Sequence, residues 1–152
     1  MKRQHELGND YPKIDIKYST HRDSFKNGNW ETVLLQKGDT IYRFFGSAKP
    51  EDEVGSFWID GKTYDVLESD PNLKSIVGMV RARLAILEVW NKMDMLVPGG
   101  VIKEFYAAFG PANFQRFKEK GYENVFYIGG MNQLYILPED YYSILHFSSS
   151  PT

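Results

Sequence analysis

The sequence predicts an α+β single domain: a mixed, mostly antiparallel, split β-sheet with one main helix and short helices. Three observations predict it. At 152 residues, the chain is long enough for one domain with its own core. Aromatic residues make up 15% of it, and they fall in short runs with β-branched neighbours between Gly and Pro punctuation, a strand signature. The clearest 3.6-residue period is confined to Pro71–Met93. The order β, β, β, α, β, α, β, β lacks the strict alternation of a wound parallel sheet.

Residues 1–37 are polar and irregular and are expected to be an N-terminal extension or lid. Within them Lys13–Tyr18 alternates as one short strand, and Asn27-Gly28 marks a turn. Residues 38–147 form the working domain. Thr40–Phe45 reads as a strand between Gly38-Asp39 and Gly46-Ser47. Its Arg43 shares a face with Ile41 and Phe45, so it either snorkels at an edge or is aimed at an anion. Ala48–Val54 is an acidic loop. Gly55–Ile59 is a second strand closed by Asp60-Gly61. Its Phe57 and Trp58 are core by default, or the wall of a flat ring.

Asp70 as N-cap and Pro71 at the first turn open the main helix. Leu73, Ile76, Val77, Val80, Leu84 and Leu87 form its apolar stripe. Arg81 and Arg83 lie off the stripe and read as a solvated basic face, or, for Arg81 at the stripe edge, as a side chain pointing into a cleft. Pro98-Gly99-Gly100 reads as a turn, Val101–Ala108 as a strand of mixed period, Gly110-Pro111 as its break, and Ala112–Lys120 as a short helix. Val125–Leu137 then reads as a hairpin around Gly129-Gly130. Gln133 stands in an otherwise apolar strand. It either faces water at an edge or is a site residue presented beside an open glycine turn. Tyr141–Phe147 adds a last edge strand, and residues 148–152 are expected to be a disordered tail.

Composition removes several chemistries. The absence of Cys excludes disulfides, thiol nucleophiles and thiolate metal sites. His5, His21 and His146 are not at metal-ligand spacing, so no metal is expected. A net charge of −2 provides no field for nucleic acid, and no binding to it is expected. No apolar run is long enough to span a membrane, and the N-terminus lacks the apolar region of a signal peptide. Arg43, Ser56, Phe57, Trp58, Arg81 and Gln133 remain as a distributed set whose chemistry suits a dinucleotide. Arg is a planar fork for pyrophosphate, aromatic rings stack on nicotinamide, and an amide holds a ribose hydroxyl or a water.

The segments IYRFFG (41–46), GSFW (55–58), RARLAILEVWN (81–91), VPGG (97–100), GPANFQ (110–115) and YIGGMNQLYILPED (127–140) resemble the C-terminal toxin domains of bacterial polymorphic (Rhs-type) toxins. That group in turn is similar to the ADP-ribosyltransferase-like fold and its necrotizing-toxin-like NAD glycohydrolases. The resemblance implies a secreted effector acting in a target-cell cytoplasm, NAD or NADP as substrate, and a cognate immunity protein as partner. It implies that Arg43 contacts NAD phosphate or ribose, that Ser56 and Trp58 line the nicotinamide side, and that Gln133 orients the reacting ribose or water. Transferases of this fold commonly carry Glu where this chain has Gln133, which favours hydrolysis over ADP-ribosylation of a protein or nucleic acid. No His lies inside the matched segments, so the catalytic His of the necrotizing toxins has no counterpart there. A non-catalytic interaction or immunity protein is the reading from another class.

Overall fold

The structure, a computed structural model, describes residues 1–69, 92–116, 126–127 and 129–152. Its elements are α1 (Ser19–Arg22), β1 (Glu31–Leu35), β2 (Thr40–Phe45), β3 (Phe57–Asp60), α2 (Gly61–Ser69), β4 (Met95–Val101), β5 (Phe105–Pro111), β6 (Gln115–Arg116), β7 (Phe126–Tyr127), β8 (Asn132–Tyr135), β9 (Ile144–His146) and β10 (Ser150–Pro151). One 8-stranded sheet runs β1-β5-β8-β3-β2-β4-β10, with β9 also on β4. Its pairings among the described residues are antiparallel.

Opposed residues share a face of the sheet, so the register sorts every strand. Ile41 faces Asp60, Arg43 faces Val97, Trp58 faces Leu134 and Phe109 faces Leu134. This inner face carries the main core, which includes Val33, Leu35, Ile41, Phe45, Trp58, Val97, Phe109 and Leu134. The outer face has two covers. Ile16 and Phe25 pack on Ala108 and Tyr135. Tyr64 and Leu67 of α2, with Met93, pack on Phe44 and Ile59.

Thr40–Phe45 is β2 as expected, with Ile41 and Phe45 in the inner core and Phe44 in an outer cluster. Residues 1–37 supply β1, and Ile16 and Phe25 within them are 0% exposed. Other expectations are corrected. Lys13–Tyr18 joins no ladder, because side chains take its backbone groups. Thr32 Oγ1 accepts from Ile14 N, and Trp30 Nε1 donates to Ile14 O. Pro98-Gly99-Gly100 lies inside β4 rather than at a turn. A Cβ on Gly99 would come within 2.7 Å of Ile144 and 2.8 Å of Trp58, and one on Gly100 within 2.9 Å of Phe147. These glycines seat rings on the strand.

Gly110-Pro111 continues β5 instead of breaking it, opposite Gln133 and Asn132. Gln115–Arg116, expected in a helix, pairs with Phe126–Tyr127 as a small second sheet. The expected Val125–Leu137 hairpin therefore divides, β7 joining β6 and β8 entering the main sheet. The expected disordered tail contains β10, and Thr152 N donates to Asp94 O at 3.0 Å. The main helix lies largely outside the described residues. The described helix of that region, α2, begins earlier, where Asp60 caps it by accepting from Thr63 N and Oγ1.

Candidate functional site

Gln133 is the second residue of β8, an interior strand between β5 and β3, and it is 5% exposed. The water-facing edge reading is thereby overturned, since neighbours flank β8 on both sides. Gly129 and Gly130 before it take φ of +70° and +94°, and this left-handed turn delivers the chain into the strand.

Gln133 pairs with Gly110 on the outer face, and its Nε2 donates to Ser24 O at 2.9 Å. A primary amide has two donor hydrogens and one acceptor oxygen, so this bond takes one part of its capacity. Two residues along β8, on the same face, the Tyr135 hydroxyl shares a hydrogen bond of 2.8 Å with His21 Nδ1. The His21 ring lies 5.5 Å from Phe57 and 5.4 Å from Tyr18, edge-on to both. Phe57 meets Tyr135 at 5.2 Å. The outer face here is an amide beside an aromatic cluster, under residues of the N-terminal segment.

Burial pushes the His21 pKa below its ordinary value and raises that of Tyr135. The sign for stability follows. His21 is neutral in both folded and unfolded chains at high pH. As pH falls through the ordinary His range the unfolded chain takes up the proton first, so stability drops toward the lowered folded value. Unfolding midpoints measured from pH 7.5 to 5 should fall, and should fall less in His21→Phe.

Arg43 sits on the inner face, opposite to Gln133. Its Nε donates to Asp52 O at 3.0 Å and its Nη1 to Phe57 O at 2.8 Å. Burial lowers its pKa, opposed by Tyr141 and Asp52, but a guanidinium stays charged. It ties the 50–57 loop to β2. Lysine lacks the fork to serve both carbonyls, so Arg43→Lys should cost about 1–3 kcal/mol of stability. A rise in KM for NAD without any loss of stability would instead mark Arg43 as a phosphate ligand.

Ser56 Oγ bonds the Tyr141 hydroxyl at 2.6 Å. Trp58 is 2% exposed within the inner core, and its Nε1 donates to Gly55 O at 2.7 Å. Arg43, Ser56, Phe57 and Trp58 are thus neighbours, but Phe57 alone of the four shares a face with Gln133. Arg81 lies outside the described residues.

A cleft of about 1410 Å³ opens at the other end of the inner face, lined by Arg3, Tyr42, Asp60, Thr63, Met131 and Asn132 among others. Its main charges are already paired. Arg3 forms an ion pair with Glu31 and lies over the Phe109 ring, and Asp60 caps α2. His21, Tyr135, Asp60 and Arg3 were not legible as candidates. His21 and Tyr135 are 114 residues apart in sequence, and Asp60-Gly61 gave no signal beyond the end of a strand.

Neither a family model nor a curated protein sequence matches the chain. Two solved structures are similar to it in fold. Rhs1-CT, in complex with its cognate immunity protein RhsI1, has a TM-score of 0.53 at 17% identity, over 81% of this chain and 80% of that one. Tne2, in complex with Tni2, has a TM-score of 0.52 at 11% identity, over 81% of this chain and 92% of that one.

Proposed function

We propose that this chain is the toxin domain of a polymorphic toxin, that it hydrolyses NAD or NADP in a target-cell cytoplasm, and that a cognate immunity protein restrains it. The observation that carries the toxin reading is the architecture it has in common with Rhs1-CT, a protein solved with its immunity protein. The NAD reading is supported by the motif resemblance and by the outer face around Gln133. The carboxamide of nicotinamide and the side chain of Gln133 are both primary amides, each with donors and an acceptor. Two residues along the same face, Tyr135 and Phe57 pair and supply aromatic surface.

Water supplies the oxygen that bonds to C1′ of the ribose, nicotinamide leaves with the electron pair of the broken C–N bond, and the water's proton goes to solvent. Nicotinamide leaves a cationic ring as a neutral molecule, so no strong acid is needed. The transition state is oxocarbenium-like, as in other glycosidic cleavage. The protein's task is to orient ribose and water, and Gln133 is suited to orient rather than to deprotonate. Expression in a bacterial cytoplasm should empty the NAD pool before growth stops. Growth arrest with a full pool keeps the toxin reading and removes NAD.

The inner cleft favours a second reading, in which the dinucleotide lies there with Asn132 and Asp60 near its ribose and Arg3 near its phosphates. Asp60→Asn then stops turnover, whereas the outer-face reading leaves turnover intact and weakens only the cap of α2.

A further inference from the structure

We infer that residues 11–30 form a strap that closes over Gln133 and swings off the outer face before nicotinamide can reach that amide. This rests on the NAD reading above. Gln133 is nearly buried, and the group covering it is the carbonyl of Ser24. That one carbonyl also accepts from Asn113 N at 2.9 Å, so it latches the segment to β5 and β8 together.

The strap is fastened differently from the sheet. Residues 11–18 form no strand, and their backbone is held by Thr32 Oγ1, by Trp30 Nε1, and by Arg22 Nη1 on Ile16 O. Its backbone bridge to the rest of the protein is Phe25 with Ala112. Ile16 and Phe25 are its apolar anchors, and His21 bonds Tyr135 across the gap. Left-handed glycines in open space lie just before the strap, Gly8 at φ +75°, and near its C-terminal end, Gly28 at +64°. Lifting the strap breaks its outward bonds (Ile14 N to Thr32 Oγ1, Asn113 and Gln133 to the Ser24 and Asp23 carbonyls, and His21 with Tyr135) and the packing of Ile16 and Phe25, and leaves both ladders of β8 intact. The floor uncovered would be Gln133 with the paired Tyr135 and Phe57 rings two residues along the strands on the same face.

The chain has no Cys, so a single engineered disulfide is unambiguous. Ser24 and Asn113 are adjacent across the Phe25–Ala112 bridge. In Ser24→Cys/Asn113→Cys, oxidation should slow NAD loss by at least about 100-fold, and dithiothreitol should restore it. In the reduced protein the backbone amide at position 113, bonded to the carbonyl at position 24, should exchange with deuterium at least about 100-fold faster than the Ile136 amide of the core. Oxidation should bring the two together.

An oxidised protein that consumes NAD at the reduced rate overturns the strap, as does a position-113 amide as protected as Ile136 before oxidation. If the reduced protein consumes no NAD, the hydrolase reading fails and the exchange measurement decides the strap alone.

Discussion

Gln133→Ala is expected to reduce NAD consumption by at least about 100-fold, equivalent to roughly 2.7 kcal/mol of transition-state stabilisation. The reasoning is geometric. Gln133 is the polar side chain at the start of β8 on the outer face, its oxygen and second N–H are not engaged by Ser24, and the paired Tyr135 and Phe57 rings lie two residues farther along the same face. The same change removes the bond to Ser24 O and leaves a small void, so about 1–2 kcal/mol of stability should also go. Urea unfolding measures that part separately. The kinetic loss should be in kcat, since an orienting group acts most in the transition state. A variant with wild-type turnover and only lower stability would reduce Gln133 to a tie between sheet and strap.

Gly129→Ala is expected to be the most damaging single-methyl change at the turn that places Gln133. Gly129 has φ +70°, and an added Cβ would lie 2.6 Å from Ala112 O and 2.7 Å from Asn113 O. Those are backbone atoms of the neighbouring chain and cannot rotate aside, so clash adds to left-handed strain. A loss of about 3 kcal/mol or more is expected. Gly130→Ala is the control. It is also left-handed, at φ +94°, but has nothing within 4 Å of the added methyl, and should cost only about 1 kcal/mol. Equal shifts of the two unfolding midpoints would contradict this account of the turn.

The sequence made legible what is set by local pattern. Thr40–Phe45 alternates between two covered faces, Ile41 and Phe45 entering one cluster and Phe44 the other. Gly129-Gly130 signalled positive φ, and both residues have it. What failed depends on partners far away in the chain. Gly99 and Gly100 looked like a turn because their reason for being glycine is the rings of Trp58 and Phe147, which no local pattern shows. Lys13–Tyr18 has strand-like alternation, yet Thr32 and Trp30 side chains take the backbone groups that a ladder would have used.

The site was half legible for the same reason. Gln133 stood out because an amide in an apolar strand needs a partner, but Ser24 could not be named as that partner. Arg43 stood out as a charge among Ile and Phe. Its partners are the carbonyls of Asp52 and Phe57, which sequence spacing does not distinguish from an anion.

The most direct test is NAD consumption by the purified chain with no acceptor present, followed by separation of the products. The account predicts nicotinamide and free ADP-ribose in equal amounts, with loss of both in Gln133→Ala. NAD that is stable alone but falls when lysate is added, with label appearing on a macromolecule, would contradict hydrolysis and replace it with ADP-ribosyl transfer. NAD that is stable in both conditions would contradict the enzyme reading itself.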